Sequence, residues 1–575
     1  MISMQTKIKS VIRTALCTLP MLGIAMGMTT SCSDLLDKQP YGALIAEQMT
    51  EENATQLMTS AYAGLYSHYF GNNEAFAGPS TNWIFDVRSD DALKGGGATS
   101  MEENIHQLEM SNLNSDNVSC FNKWQNNLYA LACTNSALKA LVDANNESFK
   151  GLIAEMQFLR SFYYFDLLKI FKYLPYLDEN TNANEVRNDE FSQVEIYDKL
   201  LPLLEAAYND LPETQASVGR ANKYAAAALL AKMYAQRPGT TNWAKVEEWA
   251  GKVVKSGQYD LYEYSNDIAK IEYNNKKESI FAMQCSTANS HAFVNWANML
   301  NCTWSEGNLY GNGDDFFLAS QDLVNCYRTD EVTGLPLLDD AERHAKGDVS
   351  VTLDYTVDPR LDCTVGRIGM PWKSPDGNTQ IYNQNWVRAM DIYGEYSGKK
   401  FVEEPSKSGK EVPWGYSELN FIFLRYSDIL LLHAEALIEL GSDLATANAE
   451  INLIRQKAER TLNAETTNMP IDIDSWKQAY RVGQYPNDAK WTKDYARKAV
   501  RMERRLELAM EGGRWFDLVR WGIAEQTMNS YYSRESKNHS YLQGASVSAD
   551  ELYLPVPLTE ITNSNGKYVA KGKEN

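Results

Sequence analysis

Tyr224-Ala225-Ala226-Ala227-Ala228-Leu229-Leu230-Ala231-Lys232-Met233-Tyr234, followed by Arg237-Pro238-Gly239, decides the fold class of this 575-residue chain. Side chains this small let two helices approach closely, and the Pro-Gly pair stops the helix. Trp243 to Ser256 then reads as a return helix. The pattern recurs. Tyr426, Ile429, Leu430, His433, Leu437 and Leu440 stand at helical spacing, then Gly441, and a second helix begins near Asp443. Met156, Leu159, Tyr163, Leu167 and Ile170 form one apolar stripe, which Pro175 is expected to end because it has no N–H to donate. Helix, short turn and antiparallel helix, with alanine and aromatics at the contact, make a tetratricopeptide-like unit. The repeats differ in sequence, so stacked helix pairs are expected, not a regular array.

Outward from this run, residues 44 to 70, 119 to 172, 192 to 256 and 421 to 526 read as helices. Residues 259 to 420 do not. Glycine and proline are frequent there, helical periodicity fades, and five of the thirteen tryptophans (Trp296, Trp304, Trp372, Trp386 and Trp414) fall within it. Short strands and long loops are the expectation. The protein is therefore read as mainly α. Residues 32–258 carry the N-terminal half of a helical scaffold, including an aromatic and acidic loop near 71–118. Residues 259–420 form an irregular, loop-rich aromatic lobe, and 421–575 complete the scaffold. Loops of this length in a compact protein usually carry function.

The chain opens with Lys7, Lys9 and Arg13, then an apolar stretch from Thr14 to Met28, then Thr29-Thr30-Ser31-Cys32. A basic start, a short apolar run and small residues at the cut make a secretory signal, residues 1–31. The run is shorter than the ~20 residues that span a bilayer. A cysteine directly after the small residues is the pattern of a bacterial lipoprotein, with Cys32 the lipidated first residue, although Thr29 stands where such signals usually carry leucine. The mature chain is expected outside the cytoplasm, held to a membrane by acyl chains. Removing three cations from a net charge of −20 leaves −23, a surface that repels nucleic acid and favours neutral or cationic ligands. Six cysteines remain (Cys120, Cys133, Cys285, Cys302, Cys326 and Cys363) without CxxC spacing, and they read as buried thiols.

Motifs of catalysis are absent. The six histidines show no HxH, HxxxH or HExxH spacing, and there is no P-loop, GxGxxG or GxSxG signature. Gly95-Gly96-Gly97 lacks the Lys-Ser/Thr needed for phosphate and reads as a flexible loop. Asp314-Asp315 and Asp376-Gly377-Asn378 lack a calcium loop's ligand spacing and read as turns. No metal and no cofactor are expected. Glu503, Glu507 and Glu511 share a helix face, with Arg504, Arg514 and Arg520 as partners. Paired carboxylates can act as glycosidase acids, but three in a row beside arginines read as structural ion pairs.

The positive signal is aromatic. With 33 Tyr and 13 Trp, the chain offers flat apolar faces with polar tips, the surface that a sugar ring's C–H face requires, with Asp, Asn or Arg at the rim for its hydroxyls. Three clusters fit. Trp83 precedes Asp86, Arg88, Asp90 and Asp91 in a loop after Gly78-Pro79. Cys302, Trp304, Asn308 and Tyr310 form the second, and Arg367, Trp372, Trp386 and Tyr393 the third. Trp83 is the first choice of platform and Trp304 the second.

Several motifs together resemble one family. They are Leu159-Arg160-Ser161-Phe162-Tyr163-Tyr164-Phe165-Asp166-Leu167 with Leu174-Pro175, Asn222-Lys223-Tyr224 with the alanine run, Asp358-Pro359-Arg360-Leu361, and Leu424-Arg425-Tyr426-Ser427-Asp428-Ile429. The strongest is Glu503-Arg504-Arg505-Leu506-Glu507-Leu508-Ala509-Met510-Glu511-Gly512-Gly513-Arg514-Trp515-Phe516-Asp517-Leu518-Val519-Arg520-Trp521-Gly522, with Leu554-Pro555-Val556-Pro557 near the end. In this order, and with Cys32-Ser33-Asp34-Leu35-Leu36-Asp37 at the mature start, they resemble the SusD/RagB family of Bacteroidetes outer-membrane lipoproteins. The resemblance implies a surface-exposed, non-catalytic glycan-binding lipoprotein. It would deliver oligosaccharides to a SusC-like, TonB-dependent outer-membrane barrel, acting as its lid. A surface glycoside hydrolase and a tetratricopeptide-like protein-binding adaptor are the alternatives.

Overall fold

The computed structural model describes residues 49–66, 78–182, 185–286, 301–304, 313–350, 355–372, 380–403, 417–465 and 479–575, the side chains of 80–84 and 462–465 excepted. The leader and Cys32 lie outside them.

Six helices open the scaffold, α1 (Glu51–Ala63), α2 (Val118–Asp143), α3 (Lys150–Leu168), α4 (Gln193–Asp210), α5 (Lys223–Gln236) and α6 (Trp243–Val254), and each packs on the next. The alanine run is the buried middle of this stack. Ala225 to Ala231 have no exposed surface, so the middle of α5 is apolar and covered on all sides. Asn222 starts it by accepting the Ala225 N–H at 2.9 Å. Ser192 and Glu195 make a capping box at the start of α4. Close approach is also visible where α1 ends on α2. A Cβ on Gly64 would fall 2.5 Å from Ala130 Cβ.

The chain then leaves for the lobe and returns as α7 (Tyr426–Leu440), which packs on α6 and on both α8 (Leu444–Glu465) and α9 (Lys493–Leu508). The two halves of the scaffold thus meet at α6 and α7. Asp443 caps α8 by accepting the Thr446 N–H at 2.9 Å, and Gly441 at φ 67° closes α7. Two boundaries differ from expectation. Phe421–Arg425, read as the start of a helix, is a strand, because it pairs with Ser279–Met283. The α3 helix ends at Leu168, ahead of Pro175, because the chain pairs with the C-terminal segment. Leu554 donates to the Ile170 carbonyl at 2.8 Å, and Phe171 bridges Leu554 in parallel.

Short strands serve the lobe. β1 (Ala92–Gly95) pairs antiparallel with β3 (Phe316–Ala319), and β2 (Ser279–Met283) with β4 (Phe421–Arg425). The second pair aligns Ser279 with Arg425 and Met283 with Phe421, so the chain leaves the scaffold and rejoins it side by side. The first pair ties the segment after Gly78 to the lobe. Among the described residues no helix is long and apolar enough to cross a membrane, and no disulfide joins the described cysteines.

A buried ion network joins α9 to its surroundings. The spacing suggested Arg504, Arg514 and Arg520 as partners of the three glutamates, but the partners come from elsewhere. Glu503 meets Arg360 and Arg455, each at 2.8 Å. Glu507 meets Arg425 at 2.9 Å and Lys457 at 2.6 Å, and Glu511 meets Arg425 at 2.7 Å and Lys400 at 2.6 Å. Arg504 instead bridges Asp428 and Asp517, while Arg520 bridges Glu435 and Asp517. Every charge is answered, which is the condition for burying it.

Candidate functional site

The acidic loop after Gly78 is part of that network and not a sugar rim. Asp86, Asp90 and Asp91 are at most 2% exposed. Asp86 accepts the backbone N–H groups of Gly512, at 2.6 Å, and Arg514, at 3.3 Å, and burial beside Asp91 pushes its carboxyl up. Asp90 is gripped by Arg514 and lies 3.1 Å from Arg505. Burial opposes its ionisation, but the two guanidinium groups hold its carboxyl below the usual range. Asp91 accepts from Arg505 Nε at 2.8 Å. The expectation that these carboxylates meet hydroxyl groups is therefore corrected, since the Arg505 and Arg514 side chains occupy Asp90 and Asp91 and the backbone N–H groups of Gly512 and Arg514 occupy Asp86. Trp83 lies on the 3-10 helix Pro79–Arg88, and its side chain is outside the described residues.

The third cluster is also interior. Arg367 is buried and binds Asp362 through Nε at 2.9 Å and Nη2 at 2.7 Å. Trp372 stacks on Tyr382 at 5.2 Å, and Trp386 stands edge-on to both rings. Tyr393 is buried against Tyr541 at 5.1 Å. Arg367, Trp386 and Tyr393 are thus corrected from ligand contacts to packing.

What this aromatic box supports is Trp304. Its N–H donates to the Trp386 carbonyl at 3.0 Å, which fixes the backbone on the 3-10 turn Gln384–Trp386. The side chain is 42% exposed, the only exposed aromatic among the described residues. The Arg388 guanidinium lies 4.3 Å from the Trp304 ring centroid, a cation–π contact that holds the indole. Arg388 is held in turn by Asp314 Oδ1, at 3.3 Å from Nη1, and by Asp315 Oδ2, which accepts its backbone N–H at 2.9 Å. Asp315 is buried, also accepts from Ser397 Oγ at 2.6 Å, and has its carboxyl pushed up by burial to about 6. Cys302 is half-buried and packs against Gly313, where a Cβ would fall 2.2 Å from Cys302 Cβ. Asn308 and Tyr310 lie outside the described residues.

The rim of Trp304 is polar. Gln384 and Asn385 are exposed on the turn whose Trp386 carbonyl accepts the Trp304 N–H, and Asp314 is partly exposed. Further along the same segment, Met390, Asp391 and residues 393–396 line a cavity of about 360 Å³ together with Gln321, Asp348, Asn538 and His539. A second cavity, of about 130 Å³, is walled by Arg425, Asp428, Glu511, Arg514 and Asp517 and belongs to the ion network. Sequence reasoning missed Arg388, Asp314 and Asp315 as supports, and the only signal was the Asp-Asp pair, read as a turn.

One cluster has the geometry to hold a metal ion. Ligand atoms of Asp322, Asp340 and His344 gather within 4.8 Å. Arg505 and Arg534 already neutralise Asp322. Asp322 and Asp340, each with an oxygen 3.3 Å from His344 Nε2, raise its imidazole to about 9, so a proton fills the role of a cation there.

A family model described as SusD family matches residues 277–570, more than half of the chain. The chain belongs to the SusD family. A second model, described as starch-binding associating with outer membrane, matches residues 34–235. This SusD-family chain is 24% identical over 509 residues to SusD-like protein P2 of Formosa agariphila, covering 86% of this chain and 88% of that one. It is 24% identical over 436 residues to starch-binding protein SusD of Bacteroides thetaiotaomicron, covering 72% and 71%. Its fold matches a SusD superfamily protein of Bacteroides vulgatus with TM-score 0.68 and 22% identity, covering 91% and 98%. Surface glycan-binding protein A of Bacteroides thetaiotaomicron, solved in complex with laminarihexaose, matches with TM-score 0.63 and 19% identity, covering 91% and 99%. At these identities the structural matches establish the fold of this SusD-family member.

Proposed function

We propose that this SusD-family chain is a non-catalytic, glycan-binding lipoprotein of the outer-membrane surface, and that Trp304 is its stacking platform. The observation that carries the reading is Trp304 itself, an indole left exposed while Arg388 and the Trp386 turn hold it in place. An aromatic in that state is suited to a sugar's apolar face, with Gln384, Asn385 and Asp314 able to meet hydroxyls. The relatives support the class of ligand, since one is named for starch binding and a structural match carries laminarihexaose. The family's description supports the membrane.

The anchor is proposed at Cys32, and a SusC-like barrel is the proposed recipient of the oligosaccharide, with this chain as its lid. Calorimetry with a panel of neutral oligosaccharides tests the binding reading. Saturable heat with no change in chain length on long incubation is expected. Enzyme-dependent reducing ends, absent after heat treatment, would replace it with the hydrolase reading. Cys32→Ala is expected to leave the outer-membrane fraction, because acyl chains supply the attachment, and retention at wild-type level would remove that part.

A further inference from the structure

Lys94 belongs to the Trp304 assembly at one remove. It lies on β1, 1% exposed, and its ammonium donates to the carbonyls of Gly95 (3.0 Å), Ala98 (3.3 Å) and Met101 (2.7 Å). Three protons serve three carbonyls of one loop. The loop needs its glycines. Gly95, Gly96 and Gly97 have φ of 69°, 72° and 103°, and a Cβ on Gly97 would fall 2.8 Å from Met101 Sδ and 3.3 Å from Arg388 Nε. Arg388 therefore lies directly against this loop with one side and on the Trp304 ring with its guanidinium face. The triglycine, read from sequence as a flexible loop, is a fitted one.

We infer that Lys94 is a positioning residue for the Trp304 platform, setting through its three carbonyl contacts the loop 95–101 against which Arg388 lies. The inference rests on the reading of Trp304 as the platform. The groups facing the ammonium are Glu109 and Glu102, Arg388, and the rings of Phe316 and Tyr393. Glu109 also accepts the Lys94 backbone N–H at 2.9 Å and contacts His106 and Tyr541. Burial is the main cause that lowers the ammonium from 10.5 to about 8, with Arg388 adding to it and the two glutamates opposing it. Once the proton leaves, two N–H donors remain for three carbonyls. The signs then separate. Between 8 and 10.5 the unfolded chain holds the extra proton, so this group's effect on global stability rises with pH, while the loop loses its hold. A lysine with a purely structural role would not move binding against stability.

The test uses the wild-type chain at pH 7 and pH 9.5, measuring affinity for the best-binding neutral oligosaccharide, melting temperature, and hydrogen exchange of residues 96–101 corrected for intrinsic rate. Affinity is expected to fall about tenfold, equivalent to about 1.4 kcal/mol, with reduced protection of 96–101. Lys94→Arg and Lys94→Met should bind weakly at pH 7 and show no further fall at pH 9.5. Unchanged protection, or wild-type affinity in a folded Lys94→Met, overturns the inference. If Lys94→Met does not fold, the wild-type pH series decides alone. If the wild type binds no oligosaccharide at pH 7, the platform reading fails, and the protection of 96–101 still decides whether Lys94 holds the loop.

Discussion

Arg514 grips Asp90 with two guanidinium nitrogens, Nε at 2.8 Å and Nη2 at 2.9 Å, across 424 positions of sequence. Asp90 is buried and Arg514 largely so, and removing Arg514 leaves the Asp90 carboxylate with Arg505 alone, at 3.1 Å. Arg514→Ala is expected to cost about 3–5 kcal/mol, read by chemical denaturation. Asp90→Asn together with Arg514→Met should recover part of it. Normal stability in Arg514→Ala with selective loss of glycan binding would move this motif from scaffold to site.

Asp166 gives the acid limb of stability. It is buried between Lys123, at 2.5 Å, and Lys169, at 3.5 Å. Burial opposes its ionisation, but the two ammonium groups prevail and bring the carboxyl from 3.8 to about 2. The folded state therefore holds the proton less tightly than the unfolded chain. The resulting stabilisation, about 2 kcal/mol, is present above pH 4 and lost as the pH falls through 2. Asp166→Asn should be less stable than wild type at pH 7, with the difference shrinking toward pH 2. A difference that stays constant with pH would contradict the pairing.

Gly64 sits where α1 ends on α2 and α3. Its φ of −62° is ordinary, so the constraint is space. An added Cβ meets Ala130 Cβ at 2.5 Å and the Tyr163 hydroxyl oxygen at 2.8 Å, and that hydroxyl donates to the Ala61 carbonyl at 2.7 Å. Gly64→Ala should cost about 1–3 kcal/mol by overpacking. A melting temperature equal to wild type would show that the helices part without strain.

Trp304→Ala should leave the fold intact, because the side chain is exposed. By analogy with planar ligands on aromatic platforms it should remove about 1–3 kcal/mol of binding, roughly 5- to 150-fold in affinity. The loss should vary little with salt, since the ligand is neutral. Trp83→Ala is the companion measurement. Loss at Trp83 with wild-type binding at Trp304 would reverse the assignment proposed for the pair.

The scaffold was legible because its signals are local. The alanine run, Pro238-Gly239 as its stop and Gly441 as another each act within a few residues of themselves. The site was legible only in its aromatics. A carboxylate beside a tryptophan in a polar loop looks the same whether it faces water or an arginine. For Asp90 and Asp91 the deciding arginines, Arg505 and Arg514, stand more than 400 positions away. Trp386 and Trp304 were grouped apart because their backbone contact spans the lobe. Arg388 left no signal, since its role depends on a ring it meets only after folding.

The pairing of β2 with β4 has a consequence for descent. Because its two ends are hydrogen-bonded neighbours, the helical stack meets the lobe as it would meet the loop of a hairpin. Closing a longer or shorter loop changes the free energy only with the logarithm of its length. Segments between Met283 and Phe421 other than β3 and those holding Arg360 and Lys400, which pair with Glu503 and Glu511, can therefore be lengthened, shortened or exchanged while α6 and α7 keep their contact, and appetite for a new sugar can evolve without refolding the body that carries it.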